Sequence, residues 1–362
     1  MVPDLPTPAI LIDARVARRN IERMAAYARE HRLRLRPHTK THKSVLLGRM
    51  QMDAGATGLT VAKAGEAEVM ASVADDVLMA YPAVEPHRCA TLARLARDKA
   101  VRVAVDSAEA VDALAGAARS AGSTIGILVD LDVGLHRTGV QSPQEALALA
   151  QHVARTSGVR LAGILFYPGH IGGPSGSQEQ MLREVDARLT KTINVWRHAG
   201  LEAPIVSGGS TPTAYQSHLV THMTEARPGT YVFQDMNGLR GGFATLDDCA
   251  ARVVATVVST AVPGQFVIDA GSKTLTMDRC GPAPDSGHGY VVEYPEAKIV
   301  KLTEEHGQVD ARECAKRPKV GERVSIVPNH ICPCINLQDQ FWWQEDGGPP
   351  RPVRVEARGK VN

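Results

Sequence analysis

Eight short apolar runs, separated by stretches of helical character, constrain the fold of this chain more than any other feature. In order they are Leu33–Thr39, Gly58–Ala62, Val77–Tyr81, Val101–Asp106, Ile125–Asp132, Leu161–Tyr167, Pro204–Ser207 and Thr224–Arg227. The segments between them, such as KAGEAEVMAS and SPQEALALAQHVART, carry apolar residues at helical spacing among good helix formers. Strands alternating with helices predict an α/β architecture with a parallel sheet, and eight repeats predict a (β/α)8, TIM-like barrel. An open doubly wound sheet shows the same alternation and stays open as a rival on pattern alone.

The texture changes after about Gly242. ARVVATVVSTAV, QFVIDAG, AKIVKL and RVSIVPNHICPCINL are valine-rich and separated by Pro and Gly turns, which predicts an all-β C-terminal domain. The opening TPAILID is strand-like and is expected to pair with that sheet. The expected division is a barrel over 13–242 and a β domain over 243–362 that also takes the strand within 1–12.

The bulk properties exclude several classes. Acids and bases are interspersed, with a formal charge of +2 and no long block of one sign. A nucleic-acid patch or a membrane-surface helix is therefore not expected. The longest apolar runs fall far short of a membrane span. MVPDLPTPAILID lacks a basic region followed by an apolar core, so no signal peptide is read and a cytoplasmic protein is expected. The six cysteines are scattered, except for Cys332 and Cys334, and read as thiols or metal ligands rather than as a disulfide framework.

Candidate chemistry collects at the strand ends. In RLRLRPHTK, period two puts Leu33, Leu35, Pro37 and Thr39 on one face and Arg34, Arg36, His38 and Lys40 on the other. In a barrel the apolar set meets the helices and the polar set points inward. Lys40 then stands at the C-terminal end of the first strand, where barrel active sites lie, as a candidate catalytic amine. A lysine on a basic surface loop reads the same way from this segment alone. The seventh strand ends in SGGSTPT and the eighth in EARPGTY. Glycines admit an anion close to backbone N–H groups, and Ser and Thr add hydroxyls, so these loops are a candidate phosphate cradle. A lysine facing such a cradle suggests pyridoxal phosphate held as a Schiff base. Arg137 in DLDVGLHRTGV can reach the phenolic oxygen of that cofactor, or pair with Asp130 or Asp132. In FYPGH, Tyr167 can pack on the cofactor ring and His170 can act as a general base, although a histidine in a glycine-rich loop is often merely exposed. His330 and Cys332 in PNHICPC share one side of an extended chain, and imidazole with thiolate suits zinc and similar metals. Cys334 has the same parity and is a candidate third ligand. An ordinary buried strand with incidental His and Cys is the alternative.

Taken together, PHTKTHKS, VAKAGEAEVMA, GLHRTGV, FYPGH, SGGSTPT, TEARPGTYVFQD, DAGSKTLTMD, EEHG and PNHICPCINL resemble the bacterial D-threonine aldolase family over nearly the whole chain. That family sits among the alanine-racemase-like, fold-type III pyridoxal-phosphate enzymes, with D-serine dehydratases and 3-hydroxyaspartate aldolases in the same branch. The resemblance implies a pyridoxal-phosphate barrel, a C-terminal β domain and a homodimer. It matches Lys40 to the Schiff-base lysine, Arg137 to the arginine near the cofactor's O3′ and Tyr167 to the active-site tyrosine. Ser210, Thr211, Gly229 and Thr230 fall in the phosphate region, and Arg227 falls near the pyridine nitrogen by analogy with racemases. His330 and Cys332 fit the metal pair, for zinc, manganese, cobalt or magnesium. His170 is the nearest match for the catalytic histidine, with Gly173 at another plausible alignment. The implied reaction is retro-aldol cleavage of a D-3-hydroxy amino acid, with D-threonine giving glycine and acetaldehyde. Dehydration of D-serine or 3-hydroxyaspartate, aldol cleavage of 3-hydroxyaspartate, racemisation, and cofactor binding without catalysis are the competing outcomes.

Overall fold

The computed structural model describes residues 4–362, which fall into two compact units. One holds Glu22–Lys40, Val45–Gly229 and the tail Gly359–Asn362; the other holds the chain up to Ile21, Thr41–Ser44 and Thr230–Arg358.

The first unit is an eight-stranded parallel sheet. Its strands are Arg34–Leu35, Leu59–Val61, Asp76–Met79, Ala100–Val105, Ile125–Leu131, Val159–Phe166, Ile205–Gly208 and Glu225–Ala226. They lie side by side in chain order, and the first also pairs with the eighth through Arg34–Glu225 and Leu35–Ala226. The first two strands meet through a bridge between His38 and Thr60 and through Thr57 N–H on the Leu35 carbonyl at 2.8 Å. The sheet is thus closed, and the eight apolar runs form the (β/α)8 barrel that their alternation predicts. Helices return the chain between strands for visible reasons. Ser107 and Ser142 cap Ala108–Ala121 and Pro143–Arg155 by accepting the Ala110 and Glu145 N–H groups, and Gly122 ends the first of these at φ +66°. Leu78, Ala104, Leu128, Ala162, Leu165 and Ile205 form one packed cluster across consecutive strands.

The inward-pointing polar parity of the first strand holds in part. Arg36 is buried, with its Nε 2.9 Å from Glu225 and its guanidinium on both oxygens of Asp76 at 2.7 and 3.1 Å. Arg102 also pairs with Asp76. Arg34, at the start of the strand, is exposed instead, with its guanidinium 3.5 Å from the Pro204 carbonyl. Regular pairing ends at Leu35, so the strand is much shorter than the apolar run, and Lys40 sits in a 3-10 turn, Thr39–Thr41. Pro37 has no N–H to give to a ladder, which favours leaving the strand there.

The second unit is a nine-stranded, largely antiparallel sheet built around Ala251–Ser259. Ala9–Asp13 pairs antiparallel with that strand and parallel with Gln340–Gln344, so the opening strand lies in this sheet. Among the described residues no helix is long and apolar enough to cross a membrane.

Candidate active site

A cavity of about 300 Å³ opens in the barrel unit among residues at and just beyond the C-terminal strand ends. His38, Lys40, Tyr81, Asp130, Arg137, Tyr167, Gly209 and Arg227 are among its lining. Lys40 brings the amine; its side chain is exposed to the cavity, and its backbone N–H is 3.3 Å from His38 Nδ1. Arg137 lies over the Tyr167 ring, its guanidinium carbon 5.0 Å from the ring centroid. It forms no ion pair with either nearby carboxylate, although its charge acts on Asp130. Asp132 accepts the Gly134 and His136 N–H groups at 3.0 Å, and Asp130 accepts the Thr138 hydroxyl at 2.8 Å. Arg227 is buried, donating to Ser207 Oγ at 2.8 Å and to the Phe166 carbonyl at 2.9 Å. Burial lowers its pKa to about 10 against the opposing pull of Glu225 and Asp130, so the guanidinium remains charged at neutral pH. Burial also lifts the Asp130 carboxyl to about 6, with the Thr138 hydrogen bond and Arg227 pulling the other way.

The remaining candidates stand outside this lining. Gly209, at φ +84°, represents SGGST in the cavity wall. Ser210 and Thr213 hydroxyls are 3.0 Å apart, and Thr211 Oγ1 accepts the Gly229 N–H at 3.2 Å, so the two loops brace each other. His170 is exposed, and its ring packs on Gly134, where a Cβ would come within 2.9 Å of it. Residue patterns alone do not single out His38, Tyr81 or Asp130; His38 shares the polar face of the first apolar run, and Asp130 is legible only as a partner for Arg137.

The donors for the group expected in PNHICPC lie in the other unit. The chain does not stay extended there. His330 is the residue before a short helix, Ile331–Asn336, and Asp235 accepts the Ile331 N–H at 3.0 Å. The His330 imidazole is hydrogen-bonded to the Cys332 side chain and carries Asp278 Oδ2 on Nδ1 at 2.9 Å. Thr41 and Thr230 hydroxyls lie 3.3 and 3.6 Å from Cys332 Sγ. Cys334 does not join this pair: its thiol points to the Leu275 and His330 carbonyls at 3.6 and 3.3 Å. Complete burial, with acidic groups nearby, holds that thiol well above the usual range and keeps it protonated. Among the described residues no group of three or more His, Cys, Asp or Glu side chains is arranged around a metal. His330 and Cys332 alone stand side by side in this segment, a pair whose imidazole and thiol would suit a borderline divalent ion.

Both chemistries have relatives. The family described as alanine racemase, N-terminal domain, matches residues 12–237, and that described as putative serine dehydratase domain matches 250–343. A D-threonine aldolase of Arthrobacter sp. is 31% identical over 98% of this chain and 93% of its own length. A D-threo-3-hydroxyaspartate dehydratase of Delftia sp. is 35% identical over 91% of each chain. The crystal structure of the Filomicrobium marinum D-threonine aldolase superposes with a TM-score of 0.91 at 32% identity, over 99% of this chain and 97% of that one. With the racemase domain spanning the barrel and two full-length relatives above 30% identity, the chain belongs to the alanine-racemase-like, fold-type III pyridoxal-phosphate enzymes, in the branch of the D-threonine aldolases and D-serine dehydratases.

Proposed function

We propose that this protein is a pyridoxal-phosphate- and divalent-metal-dependent lyase of the cytoplasm, active as a homodimer, that cleaves D-3-hydroxy amino acids such as D-threonine to glycine and an aldehyde. One observation carries the reading. Within the barrel unit the Lys40 amine lines one cavity with Arg137, Tyr167 and buried Arg227, the kinds of group that a lysine-bound pyridoxal phosphate needs.

The residues fit both groups. The Lys40 amine would hold the cofactor aldehyde, with Tyr167 and Arg137 on its ring and phenolic oxygen, and Arg227 toward its pyridine nitrogen. The loops at Ser210, Thr211, Gly229 and Thr230 would take the phosphate. When bound, the cofactor supplies a sink for the electron pair released at Cα. A divalent ion on His330 and Cys332 would supply Lewis acidity to the substrate's β-hydroxyl. Arg137 over Tyr167 presents a fixed positive charge at the cavity wall, and buried Arg227 keeps its proton in place against transfer to the ring. His170 is the candidate base for the β-hydroxyl proton, directly or through water.

A second reading, dehydration on the same scaffold, is favoured by the match to the serine dehydratase domain and by 35% identity to the Delftia enzyme. Product analysis separates the two. D-threonine and D-3-hydroxyaspartate are offered in turn to the purified protein with pyridoxal phosphate and manganese or zinc. Aldehyde plus glycine is the expected result. Ammonia plus a 2-oxo acid moves the assignment to the dehydratases.

A further inference from the structure

Asp278 belongs to no motif with an assigned role, yet it is held as firmly as a ligand. Its Oδ2 lies 2.9 Å from Nδ1 of His330. Its backbone is gripped from the neighbouring position: Asn329 Nδ2 donates to the Asp278 carbonyl at 3.0 Å and to the Gly287 carbonyl at 2.8 Å. On its other side, its N–H reaches Thr276 Oγ1 at 3.2 Å, and Thr276 is one of the few residues other than glycine with a left-handed φ, +64°. A β-branched residue in that region is strained, and such strain persists where the surrounding structure holds it. The His330 segment is fixed in turn. Asn237 Nδ2 donates to the Asn329 carbonyl at 2.7 Å, and Asp235 takes the Ile331 N–H.

We propose that Asp278 is a positioning residue for His330, fixing its ring and tautomer so that Nε2 faces the divalent ion. The inference rests on the metal-dependent reading above. A carboxylate on Nδ1 accepts a hydrogen bond, so the ring proton stays on Nδ1 and the lone pair is on Nε2. The same contact makes the imidazole a stronger donor to a metal. As an ion pair it is partly exposed, with side chains 39% and 48% accessible, and contributes little to stability by itself. Its value lies in ring orientation rather than in folding.

The test measures metal affinity, not turnover. The full-length, cofactor-loaded protein is stripped with a chelator and titrated with zinc or manganese against a competing chelator. Asp278→Ala is expected to weaken binding about 10- to 100-fold. Asp278→Asn, whose amide oxygen still accepts the Nδ1 proton, is expected to fall between that variant and the wild type. The metal-free melting temperature and the visible absorption of bound cofactor should be unchanged in both. In the cobalt-substituted protein the ligand-field bands should shift in Asp278→Ala and less in Asp278→Asn. Wild-type affinity in Asp278→Ala overturns the proposal. So does equal loss in both variants with a lowered metal-free melting temperature, which would make Asp278 a brace for the loop only. A wild-type protein that binds no metal overturns the metal reading together with this inference. Dehydratase products with intact metal binding overturn the aldolase reading alone.

Discussion

Lys40 and Asp130 share one cavity, and opposite demands act on them. On the proposed reading the amine holds the cofactor, so Lys40→Ala is expected to abolish both turnover and the visible absorption of bound pyridoxal phosphate. Spectra taken before and after gel filtration check this; turnover by the variant would remove Lys40 from the mechanism. Asp130 is a different case, because burial opposes its charge. Its folded pKa, about 6, stands above the ordinary 3.8. The folded state therefore binds its proton more tightly than the unfolded state does. That stability is fully present below pH 4 and is lost as pH rises through 6. The gap corresponds to about 3 kcal/mol. Asp130→Asn should accordingly make the cofactor-free protein more stable than wild type at pH 8, with the difference vanishing towards pH 4. Urea midpoints at the two pH values decide it, and a gain that does not depend on pH would place the cause elsewhere. Period two reaches Lys40 only by extending the first strand through it, whereas pairing ends at Leu35 and Lys40 lines the cavity from a 3-10 turn. Asp130 was legible only as a possible partner for Arg137, because the burial that shifts it is a property of the closed barrel.

At the scale of elements, the apolar runs located all eight barrel strands, because buried parallel strands are continuously apolar and their helices are not. Strand limits were less legible. The first strand reads as seven residues by composition and pairs over two, since pairing depends on where its neighbours offer partners. The PNHICPC segment failed for a related reason. Period two assumes an extended chain, whereas Asp235, distant in sequence, caps the chain into a helix at Ile331. The first strand also depends on long-range charge. Asp76 serves Arg36 and Arg102, and Arg36 reaches on to Glu225, so a single carboxylate joins the first, third and fourth strands. Asp76→Ala leaves two guanidinium groups short of a counter-ion. It should cost about 3–5 kcal/mol in urea unfolding of the apo-protein. A loss below about 1 kcal/mol would show that solvent replaces the carboxylate. Gly163 offers a steric counterpart. It sits at φ +143° where the register between neighbouring strands shifts, and a Cβ there would fall 1.9 Å from the Ile205 carbonyl. Gly163→Ala therefore displaces the seventh strand, and the variant is expected to collect as insoluble or cofactor-free protein.

Across the whole molecule, the groups suited to the cofactor and those suited to the metal come from different parts of the chain. Lys40, Arg137, Tyr167 and Arg227 belong to the barrel unit, and His330, Cys332 and Asp278 to the β unit. Loading of one should therefore be separable from loading of the other. Prolonged dialysis against a chelator is expected to leave the cofactor absorption in place and to remove turnover of D-3-hydroxy amino acids. Adding back manganese or zinc should restore it, in proportion to metal bound. Cys332→Ala should behave as the chelated enzyme does, keeping its cofactor, and excess metal should restore little, because one of two protein donors is gone and water cannot replace a thiolate's charge. Full activity after exhaustive chelation, or in Cys332→Ala without added metal, would mean that the β-hydroxyl is activated by protein groups alone. The search for a base would then return to the titratable residues that line the cavity, with His38 first among them.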